Sequence, residues 1–177
     1  MTISLETDRL LLRDVKPSDL DEYVDHMTPE YYWRDIAIEP LTPVIVAQLL
    51  KVFIASQSKD PRRDYLFAVV HKHSEEFIGS CGVLIRSFAA SQAEIFYAVA
   101  ARHAGNGFAT EIGRALLRFS FDGLKLHRVS AQCSPENTAS RRIMIKIGMR
   151  EEGVFRDYVR ARGEWWSSAQ YAILSTD

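Results

Sequence analysis

Cysteine is scarce in this chain. Cys81 and Cys133 are the only two, they stand far apart, and no C-x-x-C joins them. That rules out a disulfide framework or a zinc knuckle, and both thiols are expected to be reduced core residues. No apolar run approaches the roughly 18 residues of a membrane helix. No charged-then-apolar leader follows Met1, so the expected location is the cytosol. The five histidines give one i, i+2 pair, His71 and His73, but no H-E-x-x-H, and no metal site is expected. Charge of one sign is missing too: 22 Lys and Arg face 23 Asp and Glu, a formal net charge of −1. A surface built for nucleic acid would be basic, so direct nucleic-acid binding is not expected.

What is present is a normal globular balance, 47% hydrophobic and 25% charged, in 177 residues. That is about one domain's worth, long enough to bury a core, with no repeat, linker or low-complexity tract to divide it. One domain over residues 1–177 is expected. "RLLLRD" reads as a first strand at 10–13. "KPSDLDEYVDHM" reads as a helix with Ser18 as N-cap, and residues 43–56 form a second helix. "YLFAVVH" (65–71) and "FIGSCGVLIR" (77–86) form a hairpin across the polar turn "KHSEE". A strand "AEIFYAV" (93–99) precedes a helix over 109–121, whose apolar stripe is Ile112, Leu116, Phe119 and Ser120. "HRVSAQC" is a strand, "NTASRRIMIKIGM" a short helix, and "GVFRDYV" and "SAQYAIL" two last strands joined near Gly163. The order is β-α-α-β-β-β-α-β-α-β-β, a mixed α/β chain.

The stretch "HAGNGFATE" (103–111) carries the first functional signal. A P-loop would need Gly-Lys-Ser/Thr after the glycines, and the dinucleotide fingerprint would need Gly or Ala where Thr110 stands. Neither is present. What remains is strand, glycine turn, helix. Free backbone N–H groups of residues 105–110 would converge there, helped by the helix dipole, in a site suited to phosphate. Gly105 and Gly107 would let the backbone approach closely. An ordinary strand-to-helix turn explains the stretch equally well. The second signal is "PENTASRRIMIKIGM" (135–149), a helix opening directly after a strand. Asn137 is the expected N-cap, with Ser140 one turn on and Ile143 and Ile147 facing a core.

With these motifs together, the chain resembles the GNAT superfamily of acyl-CoA-dependent N-acetyltransferases. More narrowly, it is similar to the Rim-type branch, which acetylates ribosomal-protein N-termini. "ETDRLLLRDVKPSDLDEY" is similar to that branch's opening, and "FIGSCGV" to its third strand. "AEIFYAV" with "HAGNGFATEIGRALLRFSF" is similar to its acetyl-CoA strand and pyrophosphate loop. "LHRVSAQCSPENTASRRIMIKIGMREEGVFRDYV" resembles its most recognisable block. The resemblance spans nearly the whole chain. It implies an α/β (α+β) fold with a mostly antiparallel mixed sheet, one splayed parallel strand pair and flanking helices.

The superfamily loop Gln/Arg-x-x-Gly-x-Gly/Ala falls on Ala104, Gly105, Asn106, Gly107, Phe108 and Ala109. Gly107 and Ala109 match; Ala104 departs, with Arg102 or His103 nearby to assist. The register Arg102-x-x-Gly105-x-Gly107 also fits but misplaces the helix start. The resemblance implies acetyl-CoA as co-substrate, held by this loop, Thr110 and Asn137. Its pantetheine arm would lie in the gap beside Tyr97, Ala98 and Val99.

Acetyl transfer needs a neutral amine, a polarised thioester carbonyl and a stabilised leaving thiolate. The resemblance assigns the carbonyl to a backbone N–H within 97–99. Relatives protonate the thiolate with a Tyr seven residues after the motif Asn; here that residue is Met144, and the Rim-type branch offers Ser140 instead. Glu94 is the leading base. An ordinary carboxylate is feeble at neutral pH, so the role calls for a water relay or an altered environment. Asp157 and Tyr158 are weaker candidates. The acceptor, a peptide N-terminus or a small-molecule amine, would use a groove near Tyr31, Tyr32, Trp33, Trp165 and Trp166, or those residues would form an interface, with a second copy as a candidate partner. Two functions stay open: a direct-transfer N-acetyltransferase, or a non-catalytic acyl-CoA-binding module on the same fold. Nucleotide binding on a doubly wound sheet is disfavoured by the missing fingerprints.

Overall fold

The structure is a computed structural model that describes residues 2–177. Its centre is an eight-stranded sheet in the order β1-β2-β3-β4-β5-β6-β8-β7. The strands are β1 (Ser4–Glu6), β2 (Leu10–Asp14), β3 (Asp64–His71), β4 (Phe77–Ser87), β5 (Gln92–Val99), β6 (Arg128–Cys133), β7 (Arg150–Ala161) and β8 (Glu164–Leu174). Every neighbouring pair is antiparallel except β5 and β6, which run parallel. The helices are α1 (Leu20–Met27), α2 (Glu30–Trp33), α3 (Pro43–Ser56), α4 (Phe108–Arg118) and α5 (Thr138–Lys146).

Alternation along the strands gives the sheet two apolar faces. On one face, Phe67, Cys81, Val83, Ile95, Val129, Ala131, Ala169 and Tyr171 pack beneath Ile112, Leu116, Met144 and Ile147 of α4 and α5 and the turn after α5. On the other face, Val15, Leu66, Ala68 and Phe77 pack beneath Tyr23 of α1 and Val46 and Leu50 of α3. A bidentate ion pair ties the edge down: Arg62 Nη2 and Nη1 reach the two Asp14 oxygens at 2.6 and 3.0 Å, both side chains buried. A pair so enclosed is strongly destabilising to break from one side.

Several expected elements need correction. Ser18 does not cap α1. It sits inside a 3-10 turn, Pro17–Asp19, because Pro17 fixes the first position and the Asp19 carboxylate accepts the Lys16 N–H. Strand β1 and the single-turn α2 were absent from the expected order. Both are too short for periodicity to register. The fourth helix opens at Phe108, one residue early, with Gly107 as its N-cap, and ends at Arg118. A π turn, Phe119–Gly123, then buries Ser120. The last two strands are longer than expected because a hairpin extends both to Ala161 and Glu164.

His26 on α1 is enclosed, 2% exposed, beside the Tyr32 and Phe77 rings. Its Nε2 lies 3.3 Å from Ser80 Oγ, while Nδ1 has no partner among the described residues. Burial, with the charge of Arg102 second, lowers its pKa from 6.5 to about 4. Between those values the unfolded chain binds a proton that the folded chain refuses, so acid favours unfolding. The folded state is expected to lose roughly 3 kcal/mol as pH falls through that window. Denaturant unfolding at several pH values checks this: His26→Phe is expected to flatten that part of the profile, and an unchanged slope would contradict it.

Candidate active site

The parallel pair is incomplete. β5 and β6 are in register at Gln92↔Arg128, Ala93↔Val129 and Glu94↔Ser130, and there the pairing stops. β5 stays paired to β4 as far as Gly79↔Val99, and β6 to β8 as far as Cys133↔Ala169. Each wall of the resulting gap is thus held from behind by an antiparallel neighbour. The Ala100 N–H donates to Ile78 O at 2.8 Å, across β4 and β5. Alternation then turns the N–H groups of Phe96 and Ala98 toward β4, and those of Tyr97 and Val99 into the gap. Ala98, expected among the cofactor contacts, spends its amide on the sheet.

The gap leads to the glycine loop. A 3-10 turn, Ala101–His103, ends at Ala104, whose own N–H donates to Ala101 O at 3.1 Å. Gly105 and Gly107 follow in the left-handed region, φ 82° and 78°. The amides of Gly105, Asn106, Gly107, Phe108, Ala109 and Thr110 have no acceptor among the described residues. A Cβ at Gly105 would meet no protein atom within 4 Å, and one at Gly107 only Arg9 Nη2 at 3.7 Å. The glycines therefore answer the backbone's left-handed turn rather than a crowded core. The adjoining cleft, ≈ 1080 Å³, is lined by four basic and four acidic side chains, so preference for an anion there comes from the amides and the helix dipole.

Arg9 is the residue that sequence reasoning missed. Its Nη1 donates to Asn106 O at 3.1 Å, its Nε to Glu111 Oε2 at 2.8 Å, and its plane lies over the Phe108 ring. Burial alone would raise the Glu111 carboxyl. Hydrogen bonds from the Thr7 hydroxyl and from the Arg9 amide and guanidinium outweigh it and hold the pKa low. So the β1–β2 turn braces the start of α4. No local signal marks Arg9, which stands about a hundred residues away. Arg102 turns elsewhere, to Phe77 O at 3.1 Å.

Asn137 caps α5 as expected, its Oδ1 accepting from Ser140 N at 2.9 Å. Ser140 occupies the first turn, beside Tyr97 and Cys133. Burial pushes the Tyr97 phenol up to about 12, with the Ser140 hydroxyl near enough to offset part of that effect. The Tyr97 hydroxyl has no well-aligned partner among the described residues, so Ser140 is its neighbour rather than a bonded partner. Cys133 is raised too, again chiefly by burial. Met144, seven residues after Asn137, is fully buried in the core.

Glu94 lies at the root of the gap on the opposite, α1–α3 face. Its Oε2 accepts from Arg86 Nη2 and Nε at 2.6 and 2.9 Å, and its Oε1 from Gln132 Nε2 at 3.0 Å. Gln132 Oε1 in turn accepts from Ser168 Oγ and Gln170 Nε2, both at 3.0 Å. A polar track therefore crosses four strands, β4, β5, β6 and β8, on this face. Burial pushes the Tyr32 phenol up to about 12, with the Ser80 hydroxyl offsetting part of that effect. Trp33 and Trp166 flank this side, but Trp165, 61% exposed, alternates to the other face. Asp157 and Tyr158 sit on the outer strand β7, separated from β5 by β6 and β8.

The parallel strand pair thus opens into a gap that ends at a helix N-terminus of unpaired amides. Residues 9–150 match the family described as "Acetyltransferase (GNAT) domain". The chain is 31% identical over 175 residues to the uncharacterized N-acetyltransferase YnaD of Bacillus subtilis (strain 168), covering 98% of each. An acetyltransferase of the GNAT family from Bacillus anthracis superposes with TM-score 0.86 and 27% identity, over 99% of this chain and 100% of that one. The fold is shared with Mycobacterium smegmatis RimJ in complex with CoA-disulfide: TM-score 0.82, 23% identity, over 99% of this chain and 87% of that one. The chain belongs to the GNAT acetyltransferase family and is an N-acetyltransferase.

The loop geometry gives a direct test. Gly107→Val forces a β-branched side chain into left-handed backbone and projects it into open space where a phosphate would approach. Titration calorimetry is expected to record a loss of CoA affinity of roughly tenfold or more in a protein that still folds. Unchanged affinity in the folded variant would contradict the loop assignment.

Proposed function

We propose that the chain works as one acetyltransferase domain that moves an acetyl group directly from acetyl-CoA to a primary amine, either a peptide N-terminus or a small-molecule amine. The observation that carries this reading is the gap: two strand edges part after Glu94 and lead to six unpaired amides. The pyrophosphate would rest on the amides of residues 105–110, and the pantetheine arm would run back along β5. Five steps along the strand separate Glu94 from Val99, about 17 Å. Asn137 would hold the arm beside α5.

In the reaction the amine nitrogen attacks the thioester carbon, the C–N bond forms and the C–S bond breaks. The developing oxyanion would accept from the Val99 or Tyr97 N–H, donors that need no reorganisation. The acceptor would approach from the α1–α3 face and the cofactor from the α4–α5 face, meeting through the gap. Glu94 stands three to five strand steps, about 10–17 Å, from those amides. It would therefore take the proton from the amine through water, at Oε1, which among the described residues accepts only from Gln132 and keeps a lone pair. The Ser140 hydroxyl would protonate the leaving thiolate, directly or through water, since Met144 has no proton to give.

Free CoA thiol should appear in step with acetylated amine, and with neither acetyl-CoA nor amine alone. Ser140→Ala is expected to lower turnover by about 10²-fold, the low end for a general acid, because the CoA thiolate leaves readily. Its acetyl-CoA affinity is expected to hold, because that affinity rests on backbone amides. Wild-type turnover in Ser140→Ala, with chemistry rate-limiting, would mean that water protonates the thiolate. CoA binding without thiol release for any amine would leave a binding module.

A further inference from the structure

We infer that Arg162 is a positioning residue for the amine acceptor, acting through the segment that roofs the acceptor side of the sheet. The inference rests on the transfer reading above. It begins with an anomaly in the β7–β8 turn. Ala161 pairs with Glu164, leaving a two-residue loop of Arg162 and Gly163, both at positive φ, 52° and 79°. Such a turn favours Asn, Asp or Gly at its first position. An arginine held in left-handed backbone is strained, and strain of this kind persists where the surrounding structure over-determines it.

The side chain shows what holds it there. Arg162 Nη1 donates to Trp33 O, Ile36 O and Ile38 O at 3.2, 3.0 and 2.6 Å, and Nη2 to Arg34 O at 3.3 Å. Its backbone N–H donates to Glu39 Oε1 at 2.6 Å. The guanidinium carbon lies 4.3 Å from the Trp166 ring centroid and 5.6 Å from that of Trp33. One side chain thus gathers four carbonyls of the connection between α2 and α3. That connection has little structure of its own: Arg34 N–H to Glu30 O, Ile36 N–H to Trp33 O and Ile38 N–H to Ile36 O are the backbone bonds its amides make. A planar guanidinium can do this; a lysine ammonium, a point charge, cannot match it.

The position of the clamp gives it a function. α2 stands over the end of β5, with Tyr32 against Ser80, the cross-strand partner of Ala98, and Tyr31 against Ala101. The clamped connection carries that roof across to the β7–β8 hairpin, above the face that bears Glu94 and Gln132. With both terminal nitrogens committed to carbonyls, Arg162 acts on the acceptor through the shape of this roof. The cofactor loop opens α4 on the opposite face of the sheet and is braced there by Arg9, so acetyl-CoA binding is expected to survive loss of the clamp.

The test uses Arg162→Asn, which suits the left-handed turn and removes the clamp, beside Arg162→Lys, which keeps the charge. Initial rates are measured with spermidine and with an alanine-starting hexapeptide bearing a free N-terminus, CoA affinity by calorimetry, and hydrogen exchange across residues 33–39. The expected result is a tenfold or larger rise in amine KM for Arg162→Asn and a smaller rise for Arg162→Lys. Exchange at 33–39 should be faster, with CoA affinity unchanged. An unchanged amine KM despite faster exchange would reduce the clamp to a structural tie and overturn the proposal. So would parallel losses of amine and CoA binding. A wild-type protein that binds CoA but acetylates neither amine would overturn the transfer reading for those acceptors, and the Arg162 proposal with it.

Discussion

The arrangement of this protein depends on an interrupted ladder. Backbone N–H and C=O groups inside a sheet are obligatory hydrogen-bonding groups, and leaving an edge unpaired is costly. β5 and β6 nevertheless part after three paired positions. They remain in place because β4 and β8 hold them from outside along their length. The freed edge points the Tyr97 and Val99 amides into the gap, where the proposed reaction would place its developing oxyanion. Each donor is fixed by the sheet before any substrate arrives, which is what electrostatic preorganisation requires.

Two supports flank the gap and work by different physics. On the α4–α5 face, where the cofactor is proposed to lie, the glycine loop offers unpaired amides, and its shape is braced from the β1–β2 turn by Arg9, Thr7 and Glu111. On the α1–α3 face, where the acceptor is proposed to enter, the polar groups are side chains: the Arg86–Glu94–Gln132 track and the clamped α2–α3 connection. The first is suited to a constant ligand, since amides recognise phosphate whatever else the molecule carries. The second is suited to discriminate, since side chains can set the size and charge of what enters. Tyr97 joins the two faces, with its amide facing the gap and its phenol beside Ser140 on the far face.

Local signals were legible in the sequence where the physics is local. α3 was bounded correctly because Thr42 and Pro43 spell a helix start, and Thr42 Oγ1 does accept the Ile45 N–H. Asn137 was legible as a cap for the same reason. The glycine loop was legible as a turn, and its proposed role draws support from the strand before it, which is open on one side. What the sequence hid were partners brought together by register. Arg86 meets Glu94 because the β4–β5 hairpin sets Leu84 opposite Glu94, with a bulge between Ile85 and Ser87. Arg9 and Arg162 reach partners more than ninety residues away, and nothing near either residue announces it. Ser18 misled because a proline beside it favoured a tighter turn.

The central claim is that CoA occupies the β5–β6 gap with its phosphates on the α4 N-terminus. Backbone amide resonances of ¹⁵N-labelled protein, followed while CoA is added, test it most directly. The account predicts that the amides of residues 105–110, and those of Tyr97 and Val99 in the gap, shift together and saturate at one CoA per chain, while Glu39 and Arg162 stay still. Shifts confined to other surfaces, with residues 105–110 unmoved at saturation, would contradict it.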